Sequence, residues 1–389
     1  MKKKVLYVAL MMGTTLLTGC LGDDNKKNDP IDVTITEGVV VVNNGSSYNG
    51  IDGSMSFIDL RNDAIQQNVY KTANGASLGG TPNDAIVYGQ KLYVVGSDEN
   101  TVFVLNPKTF KEITKISTTD ILGAEGGVNP RHLTAYDGKV YVSTYGNYVA
   151  EIDTLGFTMT RSFKVGSAPE GMAISTSEDG KTASLFVANS DYSYGKGSIS
   201  TINLSTGSIT EFKHEKIRNP QQILAAGDVL FVLDWGYYDY DDGGKQKEAG
   251  VYTVYNNEVT KTIPDATGMA GAGYTIITYN NPYGSTETTY TMYNTRYGTQ
   301  SAFRLSEDSE HPIISPAAIA LDPNNTGYLL IASRQLDPDT EYRYPSYALP
   351  GYVNLYSIQN GVGKFQKSYN VGIEPHKIEF SYGIATLQW

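Results

Sequence analysis

Apolar residues in this chain fall into short runs bounded by turn-forming residues. The runs recur with a period of roughly 50 residues, about seven times, and every unit has the same parts. Pro or its equivalent opens a short apolar strand. A turn follows, then a strand of the type Leu-Tyr-Val-Val, then a polar, aromatic or Gly-rich loop. A third strand ends near Asp or Asn, and a weaker fourth completes the unit. Thr81-Pro82-Asn83-Asp84-Ala85-Ile86, Leu92-Tyr93-Val94-Val95 and Thr101–Asn106 make one copy. Asn129-Pro130-Arg131-His132-Leu133, Val140–Ser143 and Val149–Asp153 make another. Ala168-Pro169-Glu170-Gly171 and Asn219-Pro220-Gln221-Gln222 open two more. A sixth is degenerate, with Gly268-Met269-Ala270 at its start, and Ser315-Pro316-Ala317 opens the next. Glu374-Pro375-His376-Lys377 opens one that the remaining residues cannot complete.

The chain also begins with an orphan piece, Val39-Val40-Val41-Val42-Asn43 and Ser54–Asp59, which supplies the strands that the last unit lacks. A ring closed by pairing its two ends accounts for both facts. The expected fold is therefore all-β: a seven-bladed β-propeller closed by its N- and C-terminal strands, spanning residues 37–389. Closure hides sheet edges that would otherwise template aggregation. An open β-sandwich would have no need of matching incomplete ends.

Composition agrees: 40% hydrophobic and 18% charged residues, with 40 Gly for tight turns and 30 Tyr. Most of the Tyr residues are read as strand packing. The formal net charge is −11, and removing Lys2, Lys3 and Lys4 with a leader leaves 27 basic against 41 acidic groups, or −14. Such a surface repels phosphate backbones and argues against general nucleic-acid binding.

Lys2-Lys3-Lys4, the apolar run Val5–Leu17 and the small residues after it read as a secretory signal peptide over residues 1–19. Leu17-Thr18-Gly19-Cys20 resembles a bacterial lipobox, in which the Cys becomes the lipidated N-terminus. Cys20 is the single cysteine, so no disulfide forms within the chain. Residues 20–36 are read as the lipidated Cys and a flexible acidic tether with Asp23-Asp24 close behind the anchor. Short acidic runs at this place resemble surface-export signals of gut-type Gram-negative lipoproteins. The expected location is the outer membrane, with the outer leaflet favoured over the periplasmic face.

If the first strand of each unit starts at one end of the ring, the Pro-led segments and the loops between second and third strands share that end. The latter loops carry Tyr48, Tyr145, Tyr192, Trp235, Tyr237, Tyr283, Arg334 and Tyr344. The Pro-led segments add Asn83, Arg131, His132, Glu170, Gln221 and His376 near the axis. Aromatic rings with polar tips, beside amides, suit a large, flat, amide-rich or hydroxyl-rich ligand. Turn preferences alone would also place Tyr and Asn in loops, so both readings stay open residue by residue.

Signals for catalysis and metals are poor. The four His residues show no HxH or HExxH spacing, although His132 and His376 could both reach the axis. Asp239-Tyr240-Asp241-Asp242-Gly243 has some look of a calcium loop, but Gly250 stands where the twelfth-position acid belongs. No GxSxG element or Cys nucleophile occurs, and Arg334 and Arg343 fall short of a sialidase-like arginine cluster. The expectation is a non-enzyme without metal or cofactor.

Over nearly all of residues 37–387 the repeat resembles the YncE-like propellers. Val39–Gly45, Gly53–Phe57 and Asn74–Gly79 are similar to a subgroup of gut-bacterial surface lipoproteins. That subgroup includes the cobalamin-capturing (BtuG-type) propellers. The resemblance implies a surface lipoprotein that binds a corrinoid, vitamin B12, on its loop face and passes it to a TonB-dependent, BtuB-like outer-membrane transporter. The subgroup also holds members of unknown ligand. Two alternatives therefore stand: a glycan-binding lipoprotein of a polysaccharide-uptake system, and a lactonase- or lyase-type enzyme using His132, His376 and Glu170.

Overall fold

The computed structural model describes residues 31–387 apart from 178, 194, 283–284, 286, 307–309, 325–326 and 339–344. Cys20, the leader and most of the 20–36 tether lie outside the described residues. Ile35–Gly383 forms the main body. The strand ends belong to a small separate unit, in which Thr386 Oγ1 donates to Asp32 Oδ1 at 2.6 Å.

The body is all-β with a propeller arrangement of antiparallel sheets. In the closing sheet, Pro375–Leu387 pairs with Ile31–Asn43, followed by Ser54–Asp59 and Ala64–Gln66. The two ends of the chain thus meet in one sheet, as the unmatched pieces required. Four more four-stranded sheets follow in chain order. The second runs from Pro82–Tyr88 to Glu112–Ser117, and the third from Pro130–Tyr136 to Met159–Lys164. The fourth runs from Pro169–Thr176 to Ile209–Phe212, and the fifth from Pro220–Ala226 to Glu258–Pro264.

An eight-stranded sheet completes the body. It consists of two meanders, Gly268–Leu305 and Ser315–Ile373, joined through a short parallel pairing of Arg304 with Val362 and Leu305 with Gly363. A two-stranded ribbon, Tyr237–Asp239 with Lys245–Lys247, is inserted in the loop of the fifth sheet.

The continuous apolar runs are explained by burial on both faces of a strand. Val40 and Val42 pack toward the second sheet with Leu92 and Val94, while Val39 and Val41 pack toward the last meander with Leu330 and Val353. In the second sheet, Tyr93 and Val95 turn to the third, against Val140 and Val142. Each of these side chains has no exposed surface, and burying one contributes about 2 kcal/mol. Seven such apolar clusters lie between successive sheets or meanders.

The third strand of many units ends in Asp or Asn because that side chain makes the next turn. Asn203 Oδ1 accepts from the Ser205 and Thr206 amides at 3.0 and 2.9 Å. Asp59, Asn106, Asp153 and Asn294 do the same in their own sheets. This local bond substitutes for a backbone turn.

Pro opens the inner strand because the first position has no ladder bond to lose. Directly after it the pairing register slips in five inner strands: Pro82/Asp84, Pro130/Leu133, Pro169/Met172, Pro220/Gln222 and Pro316/Ala318. A bulge breaks the in–out alternation and re-aims side chains. Neighbouring residues such as Asn83 and Asp84, or Arg131 and His132, consequently line one cavity.

Candidate functional site

The inner strands surround an axial cavity of about 520 Å³. Its wall is divided. The closing, second, third and fourth sheets contribute Lys377, Glu379, Asp84, Arg131, His132 and Glu170. The fifth sheet and the two meanders contribute mostly Ile223, Leu224, Met269, Ala270, Ala318 and Ile319. One half is charged and the other apolar.

The charged half is a chain of paired groups. Lys377 Nζ lies 2.9 Å from Asp84 Oδ1. Asp84 Oδ2 is 3.4 Å from His132 Nδ1, and His132 Nε2 is 3.4 Å from Glu170 Oε2. Arg131 Nε donates to Glu170 Oε2 at 3.0 Å, and the Tyr145 hydroxyl donates to the other Glu170 oxygen. The Asp84 carboxylate also accepts the Leu133 amide at 2.8 Å. Burial would raise the Asp84 pKa, but Lys377 and His132 together hold it well below the usual carboxylate range. Glu170 behaves alike: burial is outweighed by His132 and Arg131. Burial disfavours the imidazolium of His132, yet two flanking carboxylates raise its pKa. Burial pushes Glu379 up to about 7, against the opposing pull of Lys377 and the Val87 amide.

Around the mouth, an arginine–tyrosine pair recurs. The Arg131 guanidinium lies 4.7 Å from the Tyr145 ring centre, Arg218 lies 4.9 Å from Tyr237, and Arg334 lies 5.5 Å from Tyr347. Each arginine is held in turn by a carboxylate: Glu170, Glu248 and Glu374 respectively. Such stacking fixes a flat ring before any ligand arrives. Trp235 is 38% exposed, lines the cavity, and donates Nε1–H to the Thr267 carbonyl at 3.0 Å.

Of the residues expected at the site, Asn83, Arg131, His132, Glu170, Gln221, Trp235 and His376 line the cavity together. Tyr145 and Tyr192 form an edge-to-face pair at 4.8 Å beside it, and Tyr237 and Arg334 stand in the arginine–tyrosine pairs. Tyr48 is not brought in: it is 97% exposed and absent from the cavity wall. Tyr283 and Tyr344 lie outside the described residues. In the 239–243 loop, Asp239 accepts the Asp241 and Asp242 amides, and Asp242 pairs with Lys245 and Lys247 at 2.9 and 2.6 Å. Those carboxylates are engaged by the loop itself. Sequence reasoning missed Asp84, Lys377 and Glu379. Their signal is position: each lies within five residues of a motif Pro.

Residues 37–211 match the family model of a domain of unknown function, DUF5074, which covers less than half of the chain. That span takes in Asp84, Arg131, His132 and Glu170 of the charged half, but not Lys377 or Glu379. No curated protein matches the chain. Among solved structures, the chain is similar to hydrazine synthase of Kuenenia stuttgartiensis, with 16% identity and a TM-score of 0.52, covering 71% of this chain and 76% of that one. It is also similar to the WD40 repeats of RRP9, with 9% identity and a TM-score of 0.50, covering 75% and 81%. WD40 repeats build propellers. At these identities the likeness shows the fold alone, and it places the chain with the β-propeller proteins.

Proposed function

We propose that this protein is a non-enzymatic capture lipoprotein of the YncE-like, BtuG-type kind. It is anchored through Cys20 in the outer membrane, facing outward. It binds a corrinoid on the loop face and hands it to a TonB-dependent transporter. In this reading the eight-stranded sheet counts as two blades, giving seven, which agrees with the seven inter-sheet clusters. The observation that carries the proposal is the set of three arginine-backed tyrosines at the strand ends where Arg131 and Trp235 line the cavity. Rings held in place in advance suit a large flat ligand with amide edges. The axial cavity has room for a side group of such a ligand, while the macrocycle would lie across the loops.

Calorimetric titration of the full chain in detergent with cyanocobalamin tests this. Tight one-to-one binding is expected. No heat at high micromolar ligand would remove the corrinoid reading and bring the glycan-binding alternative forward, tested next on gels containing polysaccharide.

A further inference from the structure

His376 is the one cavity residue of the charged half whose side chain makes no hydrogen bond among the described residues. The groups facing it are Arg131 and His132 from the third sheet, Arg334 from the last meander, and Asp84 from the second sheet. Burial and the three cations push its pKa down to about 3, and Asp84 opposes them weakly. The imidazole is thus buried, without a hydrogen-bond partner among the described residues, and faced mainly by cations.

Arg131 supplies the matching donors. Its Nε–H is taken by Glu170 and one face of its guanidinium by Tyr145, but its two terminal NH2 groups make no hydrogen bond among the described residues. The nearby carboxylates are held by their own partners and leave the terminal NH2 groups of Arg131 without an acceptor among the described residues. Glu170 holds Arg131, His132 and Tyr145, and Asp84 holds Lys377, His132 and the Leu133 amide. The guanidinium fork fits two oxygens of a carboxylate or phosphate side by side.

We propose that the mouth of the axial cavity is an oxyanion site, in which the terminal NH2 groups of Arg131 and the imidazole of His376 hold a carboxylate or phosphate group carried by the ligand. The proposal rests on the reading that this mouth receives the ligand, but not on that ligand being a corrinoid. An anion beside His376 favours the imidazolium, so binding takes up protons below neutral pH.

The test uses the full chain in detergent with Trp389→Phe, which leaves Trp235 as the reporter on the cavity wall. Titration with inorganic phosphate should change Trp235 emission saturably, with a half-point of about 1 mM. Arg131→Lys should weaken it about tenfold, since a point charge replaces the fork. His376→Gln should weaken it about threefold and abolish proton uptake seen by calorimetry in two buffers of different ionisation enthalpy. No saturable change, or one that persists unaltered in both variants, overturns the site. Cobalamin, which carries a phosphodiester, and cobinamide, which lacks it, separate this from the wider reading. Equal affinity for both, with no phosphate effect, would sink the oxyanion site and leave corrinoid capture standing. Binding of neither, with a phosphate effect lost in Arg131→Lys, would do the reverse.

Discussion

The two ends of the strands are built from the same sheets and differ in kind. At the distal end, turns between the third and fourth strands are short and locked by their own Asp or Asn, as at Asn106 and Asn203. At the mouth, the loops are longer, carry Tyr145, Tyr192, Trp235 and Tyr347, and make some of their polar bonds between sheets. Arg131 of the third sheet reaches Glu170 of the fourth, and Arg334 of the last meander reaches Glu374, which leads into the closing strand. Locally satisfied turns need nothing from their surroundings. Loops that depend on neighbouring sheets form a surface whose parts are set relative to one another, as a rigid binding site requires.

The largest expected effect breaks the mouth from within. Glu170→Ala strips Arg131 and His132 of their shared, 3%-exposed carboxylate and should cost about 3 kcal/mol. Urea unfolding would read this, and an unchanged midpoint would refute the interdependence of the mouth groups. Next, Trp235→Ala should cut ligand affinity about tenfold or more while leaving the melting temperature nearly unmoved. A large fall in melting temperature with intact binding would instead make Trp235 a packing residue. On the distal end, Asn203→Ala removes two bonds to backbone amides and should cost about 1 kcal/mol with no change in binding. Loss of binding there would erase the distinction between the ends.

The last effect is absent at neutral pH and grows only as acid is added. The His376 pKa of about 3 lies below its unfolded value near 6.5. The unfolded chain therefore takes up the proton first, and stability present above pH 6.5 is lost as pH falls from 6.5 toward 3. His376→Gln should remove this loss, so the variant gains on the parent across that window. Glu379, raised to about 7, acts with the opposite sign but equally in both proteins and drops out of the difference. Parallel stability curves would contradict the assigned environment of His376.

The propeller was legible because a strand buried on both faces must be apolar throughout. Val39–Val42 and Leu92–Val95 announce themselves for that reason, and the orphan N-terminal strands announced ring closure. The site was half legible. Loop aromatics and the residues after each Pro pointed to one end of the strands, and seven of the named residues share the cavity there. Asp84, Lys377 and Glu379 were not seen because the bulge after Pro abolishes the alternation by which inward positions are counted. Nothing in local composition marks where a register will slip. The ribbon Tyr237–Lys247 escaped for a related reason: its three-residue strands are too short to show a period. Tyr48 stands apart from the cavity, and a turn tyrosine looks the same in sequence whether it packs inward or outward.

Closure through the ends of the chain has a consequence for synthesis. Ile31–Asn43 is among the first described strands to be made, and its partner Pro375–Leu387 is the last. Until that strand emerges, the valines at 39–42 border an unpaired edge, the kind of surface that recruits other chains. Folding of the first sheet thus waits on the distant strand Pro375–Leu387. Removing Pro375–Leu387 would leave every other sheet encoded and still lose the ring, making that strand the commitment step of assembly.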